Sequence, residues 1–243
     1  MKKFHTALLA FVLTLSMTIY AIEPQEIGLN RQSLSQKEEE IDDETAHKML
    51  RLTENDYREV AQRLGVEVAA IKAVVDVEAG RQHEWFYKPQ HPIINFDLTM
   101  FRQFARKNRV TLSHYTRSHS EVFSRPNIRR YGSQQAAQHA RLHQAMSIDE
   151  VTAIQGTFWG MFQLGGFNWK LCGCKDINEF VERMSRSERD QLELFANFII
   201  NTGLQDKLKA RNWAAFARIY NGPAYAARGY HRKLAAAYAR HKK

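Results

Sequence analysis

Cysteine is scarce. The 243-residue chain has two, Cys172 and Cys174, in the stretch "KLCGCKD". Two thiols are too few for a structural zinc site, and the single residue between them makes ordinary disulfide geometry difficult. They read as free, partly buried thiols. A membrane-spanning run is also lacking. The apolar stretch from Ala7 to about Leu15 falls short of the roughly 20 residues that a span needs. It follows Lys2 and Lys3 and precedes the small residue Ala21, the layout of a signal peptide over residues 1–21. No cysteine near residue 21 could accept a lipid. The chain is therefore expected to be exported, to the periplasm or the cell exterior. His83, His91 and His114 follow no regular ligand spacing, so no metal and no cofactor is expected. There is no internal repeat.

Acidic residues are outnumbered, 26 to 35, giving a formal net charge of +9. The imbalance is uneven. Residues 22–44 hold eight acids against Arg31 and Lys37, which leaves residues 45–243 at +13. Residues 22–49 have the acidic, aromatic-poor composition of a linker or mobile tail. A domain as basic as the remainder favours a polyanionic partner. Nucleic acid, an anionic membrane and the bacterial cell wall all carry the right charge. Export removes nucleic acid and leaves the wall or a membrane surface.

The rest of the chain, residues 50–243, reads as one mainly α domain with a small β element (α+β class). In "LTENDYREVAQRLG", Thr53 and Asp56 have capping-box spacing, and Tyr57, Val60, Ala61 and Leu64 form a stripe that stops at Gly65. Pro89 and Pro92 exclude a helix there, and "IINF" reads as a short strand. Turn residues follow around Arg125 and Pro126, and helical patterning resumes from Ser133. Ser185 and Glu188 have cap spacing ahead of the stripe Leu192, Phe195, Ala196 and Ile199, which ends at Gly203. A last stripe, Trp213, Phe216, Ala217 and Tyr220, follows Asn212.

Three places set a polar group on the side a helix should bury. In "AIKAVVDVEAG", Ile71, Val74 and Val75 mark one helix face, and its next position is Glu78, two residues before Gly80. In "GMFQLGG", Gln163 sits among Trp159, Phe162, Leu164 and glycines; in "IYNGP", Tyr220 and Asn221 end a helix at Gly222. A glycine beside such a group lets a bulky ligand approach the backbone. A carboxyl on an apolar face loses solvation, so its pKa rises. It can then donate a proton to a leaving oxygen, as glycoside cleavage requires. The alternative is a helix-end glutamate turned to water. Asp76 lies on another face and is not its natural partner. Of Trp85, Phe86 and Tyr87, two are expected in the core, where a cleft would instead stack them on sugars.

Together "VEAG", "GMFQL" and "YNGP" resemble the signatures of the goose-type lysozyme and lytic transglycosylase superfamily. More closely, "LTENDYREVAQRLGVEVAAIKAVVDVEAG", "HPIINFD", "FWGMFQLGGFNWKLCG" and "WAAFARIYNGPAYAARGYHRKLAAAY" resemble the N-acetylmuramidase domain of phage and prophage endolysins. The likeness runs from about Leu52 to Tyr238. It implies a lysozyme-like fold, acting as a monomer, that hydrolyses the glycan of peptidoglycan between N-acetylmuramic acid and N-acetylglucosamine. It carries the general-acid role to Glu78 and suggests that Gln163, Tyr220 and Asn221 line the sugar cleft, with a hydroxyl or amide against Glu78. Two departures stand out. Such muramidases often read "LFER" where this chain reads "NFDL", which makes Asp97 either a second catalytic carboxylate or a helix cap. Phe158 replaces a common serine before the W-G pair. A lytic transglycosylase and an inactive wall-binding module are the competing readings.

Overall fold

The structure, a computed structural model, describes residues 51–78, 85–125 and 134–243. The stretches expected to be a signal peptide (1–21) and an acidic tail (22–49), together with Gly80, His83 and residues 126–133, lie outside the described residues. What is described is mainly helical, with eleven α-helices and two small antiparallel sheets.

Helix α1 (Glu54–Leu64) opens on the Thr53–Asp56 capping box and closes on Gly65 in the left-handed conformation, φ 64°. Helix α2 (Val68–Glu78) buries Ala69, Ala70, Ile71, Ala73, Val74 and Val75. Its last residue is Glu78, so an almost wholly apolar helix delivers one carboxyl at its end. Helix α11 (Tyr230–His241) packs along α2, burying Leu234 and Ala237. Asp76 is bonded there, to Arg240 and His241 at 3.0 Å each, and so is turned away from Glu78's task.

Strands β1 (Phe86–Lys88) and β2 (His91–Pro92) form a hairpin. Strands β3 (Ile94–Phe96), β4 (Thr157–Trp159) and β5 (Leu164–Gly165) form the second sheet in that order. Alternation along β3 buries Ile94 and Phe96 and turns Asn95 outward; in β4 Thr157 and Trp159 are buried and Phe158 is less so. Asn95 pairs with Phe158, so both outward side chains share one face. The free edge of β3 is covered by helix α5 (Gln134–Met146). Gln135 accepts from Ile94 N at 3.0 Å and donates to Ile94 O at 3.1 Å, while Gln138 accepts from Phe96 N at 3.0 Å. These amides stand in for a neighbouring strand and satisfy groups that would otherwise be stranded. Helix α3 (Leu98–Lys107), α4 (Ser120–Phe123) and α6 (Glu150–Gln155) complete this half.

The other half is built round α8 (Glu188–Asn201), which buries Leu192, Leu194, Phe195, Ala196, Phe198 and Ile199. One sequence expectation is corrected here. Ser185 lies inside α7 (Ile177–Arg186), and the cap of α8 is Ser187, whose hydroxyl accepts from Asp190 N. A cap residue must leave helical geometry, and Ser187 does so, at φ −159°, ψ 160°. Glu188 is thereby freed from capping; it is buried and accepts from Leu52 N at 2.7 Å. Helix α9 (Gln205–Lys209) leads to α10 (Trp213–Tyr220), capped by Asn212 through Ala215 N. Cys172 and Cys174 are free thiols, both buried. Among the described residues no helix is long and apolar enough to cross a membrane.

Candidate active site

Glu78, Asp97, Gln163, Tyr220 and Asn221 all line one cavity of about 320 Å³. They come from four different places in the chain, Tyr220 and Asn221 being neighbours, and local geometry explains how each arrives.

Helix α10 ends at Tyr220, with Asn221 as its C-cap and Gly222 at φ 83°, so the chain turns immediately after the amide. Asn221 Nδ2 donates to Glu78 Oε1 at 2.6 Å. Burial of the Glu78 carboxyl is the largest influence on it and pushes its pKa up to about 7; the Asn221 bond and the Lys233 charge pull the other way. At neutral pH this carboxyl is therefore divided between acid and carboxylate. Asn221 Oδ1 is buried and has no hydrogen-bond partner among the described residues.

Tyr220 is a different matter. Its hydroxyl donates to Phe162 O at 2.7 Å rather than to Glu78. Its ring stacks on Phe216 at 5.1 Å and meets Phe195 and Phe198 edge-on. The tyrosine thus joins the core to the turn that carries Gln163. That turn is held from three sides. Gly160 adopts φ 69°, with Gln191 Oε1 2.5 Å from where a Cβ would lie, and that oxygen accepts from Met161 N. Phe162 stacks on Phe195 with ring centroids 4.1 Å apart. Gln163 itself sits at φ 47° and donates to Gly160 O at 2.9 Å. A left-handed non-glycine residue is strained by about 1 kcal/mol, and such strain is concentrated at binding and catalytic sites.

Asp97 is both a cavity residue and a cap. Its Oδ1 accepts from Thr99 N at 2.7 Å and Met100 N at 3.0 Å, starting α3. Among the described residues no donor is bonded to Oδ2. Asn95 and Phe158, the outward pair of the β3–β4 ladder, line the same cavity, as do Arg228 and Tyr230 at the start of α11. These last two were not singled out from sequence. The only hint was Gly229 between them, which takes φ 69° and lets the chain reverse from the cavity rim into α11.

The aromatic trio divides as expected, with Trp85 and Phe86 buried and Tyr87 38% exposed. Tyr87 stacks on His139 at 5.8 Å, away from Glu78's cavity. His91 meets the same His139 ring, and His114 lies in a short 3-10 helix, Leu112–Tyr115. Among the described residues no group of His, Cys, Asp and Glu is placed to hold a metal ion.

The arrangement can do acid chemistry. One carboxyl of raised pKa and one of helix-cap type lie in a polar cavity with three amides, two tyrosine rings and a guanidinium. Comparison with known proteins gives the family. The N-acetylmuramidase family matches residues 67–242. The crystal structure of the Burkholderia AP3 phage endolysin is similar at 35% identity with a TM-score of 0.63, over 79% of this chain and 72% of that one. No curated protein matches. The matched residues span α2 to α11, and so every element that lines the cavity; this chain belongs to the N-acetylmuramidase family, a family of peptidoglycan hydrolases.

Proposed function

We propose that the protein hydrolyses the glycan strand of peptidoglycan between N-acetylmuramic acid and N-acetylglucosamine, with Glu78 as general acid. One observation carries this reading: the Glu78 carboxyl ends a buried helix in the cavity, has a pKa of about 7, and is aimed by Asn221 at 2.6 Å. A carboxyl tuned near the working pH combines a large protonated fraction with a useful acid strength. Glu78 delivers its proton to the glycosidic oxygen as the bond breaks. Asp97, through Oδ2, positions the attacking water or stabilises the positive charge that develops on the sugar ring. Gln163 offers its amide to the sugar. Tyr220 holds the Gln163 turn, and Asn221 holds the acid.

The same reading places the work at the cell wall. Residues 1–21 serve as the export signal, residues 22–49 as an acidic linker, and residues 50–243 as a basic catalytic domain acting as a monomer in the periplasm or outside the cell. The +13 charge of residues 45–243 attracts the domain to an anionic wall.

A second reading, a lytic transglycosylase, draws on one feature. Asp97 Oδ1 is engaged by two backbone groups, which leaves Glu78, among the described residues, as the cavity carboxyl not committed to a helix cap. There the sugar's own hydroxyl replaces water. Mass spectrometry of digested peptidoglycan separates the two. Hydrolysis yields reducing N-acetylmuramic acid ends. Predominantly 1,6-anhydro ends would assign the transglycosylase reaction and leave Asp97 as a cap alone.

A further inference from the structure

Charge is distributed unequally round the cavity. Residues 207–243 contain ten lysines and arginines and no acidic residue. Some of these cations are already engaged. Arg211 and Lys242 pair with Glu67, and Arg240 pairs with Asp76. Among the described residues Arg218, Arg228, Arg232 and Lys233 form no ion pair. Among the described residues Arg228 is the one lysine or arginine that lines the Glu78 cavity, and it is exposed there. Lys233, one turn into α11, lies over the Tyr230 ring, 5.3 Å from its centroid, and acts electrostatically on Glu78. Tyr230 lines the same cavity. Gly229, at φ 69°, is the bend that sets Arg228 on the rim and starts α11 immediately after it.

The sheet side differs. Its contributions to the lining are Asn95, Asp97, Phe158 and Gln163, which bring one negative charge and no positive one. A neutral glycan would gain ordinary hydrogen bonds from the Arg228 guanidinium at one end of such a cavity, but no charge-assisted one. A glycan that alternates neutral sugars with sugars bearing a carboxylate would gain a charge-assisted, planar bond and a direction of binding.

We propose that Arg228 is a specificity residue that reads a carboxylate carried on the muramyl unit of the substrate, and so fixes which sugar lies beside Glu78. This rests on the muramidase reading above. The carboxylate has two sources: the lactyl group of glycan strands stripped of peptide, and the stem peptide of intact peptidoglycan. Arg228 is exposed and, among the described residues, is not bonded to Glu78, so its loss should act on binding of ground state and transition state alike, raising KM with kcat unchanged.

The test uses the full chain and three polymers: intact peptidoglycan, peptide-free glycan strands, and the same strands with their carboxyls converted to neutral amides. Binding is measured for wild type, Arg228→Gln and Arg228→Lys, with cleavage kinetics alongside. Arg228→Gln should weaken binding to a carboxylate-bearing polymer by about fivefold to tenfold, the range of one exposed charge-assisted bond, and raise KM equally. On the amidated strands it should match wild type. Arg228→Lys should recover part of the loss, since it keeps the charge but not the fork. A defect on peptide-free strands assigns the lactyl carboxylate, and a defect confined to intact peptidoglycan assigns the stem peptide. An equal defect on amidated and unmodified strands, or no defect on any polymer, overturns the proposal. Glu78→Gln serves as the separate control. If it still cleaves, the muramidase reading fails, while the binding comparison continues to judge Arg228.

Discussion

Two glutamates in this molecule share one electrostatic signature and have different surroundings. Glu78 and Glu188 are both pushed up to about 7, in each case chiefly by burial. Glu188, at the start of α8, accepts the backbone N–H of Leu52 and so fastens the chain just ahead of α1. It lines a cavity of about 240 Å³ with Arg51 ahead of α1, Lys72 and Asp76 of α2, and His241 of α11. Among the described residues Glu78 accepts only from a side-chain amide, and it shares its cavity with Asp97, a strained Gln163 and an exposed guanidinium. A raised pKa alone marks a buried carboxyl. What separates an acid with work to do from a fastening is whether its neighbours leave an oxygen and a space for something else.

The largest expected effect breaks the pair apart. Glu78→Gln keeps shape and the Asn221 contact but has no acidic proton, so glycan cleavage should fall by about a hundredfold to ten-thousandfold with the fold intact. Glu188→Gln should cleave at nearly the wild-type rate, because its amide oxygen can still receive Leu52 N–H. Release of soluble muropeptides from purified walls measures both. A Glu78→Gln variant retaining a tenth or more of wild-type activity, or an equal loss in Glu188→Gln, would erase the distinction.

Stability should show what the two share. A carboxyl with a raised folded-state pKa keeps its proton to higher pH than it does in the unfolded chain. From about 4.5 to 7 the unfolded chain ionises first, so stability is lost as pH rises through that window and levels off above it. For Glu188, which is 5% exposed, the shift corresponds to a contribution on the order of 3 kcal/mol. Glu188→Gln should therefore flatten the pH dependence of unfolding free energy between pH 5 and 8. Denaturant titrations at both pH values measure it, and an unchanged slope would show that burial does not govern this carboxyl. Activity should run with Glu78's proton, falling as pH rises above about 7.

Much of this was legible in the sequence, and the physical reason is periodicity. The apolar stripes of α1, α2, α8 and α10 repeat at helical spacing, and a carboxylate or amide at the next position of the same stripe stands out. Thus Glu78 and Asn221 each stood out, and the family resemblance suggested that a hydroxyl or amide from the second place faces the first, 143 residues away. The sheet was harder. Strands β4 and β5 are three and two residues long, too short for alternation to show, and the free edge of β3 is satisfied by α5 glutamines 41 and 42 residues away in sequence. Arg228 was missed for a related reason, since an exposed arginine after a run of alanines has no pattern of its own. The Ser187 cap was misassigned by two residues because α7 and α8 abut with no loop between them, and serines stand at both 185 and 187.

The smallest expected effect concerns Tyr220, and it sharpens what counts as part of the acid's surroundings. From sequence its hydroxyl could have been dispensable in the core or engaged with Glu78. The structure gives it a third task, donating to Phe162 O at 2.7 Å one residue before Gln163. Tyr220→Phe keeps the ring stack on Phe216 but removes a buried donor and strands a carbonyl. That costs about 1–3 kcal/mol, so the melting temperature should drop measurably. Turnover should fall less than in Glu78→Gln, by about tenfold at most, since about 1.4 kcal/mol is tenfold in rate and the acid itself keeps Asn221. The defect should also come from Gln163 losing its fixed position, which raises KM along with lowering kcat. Melting temperature, kcat and KM for Tyr220→Phe beside Gln163→Ala and the double variant give the answer. If the turn links them, the double variant should be little worse in kinetics than Gln163→Ala alone. Fully additive losses would mean that Tyr220 acts on catalysis by a route other than the Gln163 turn.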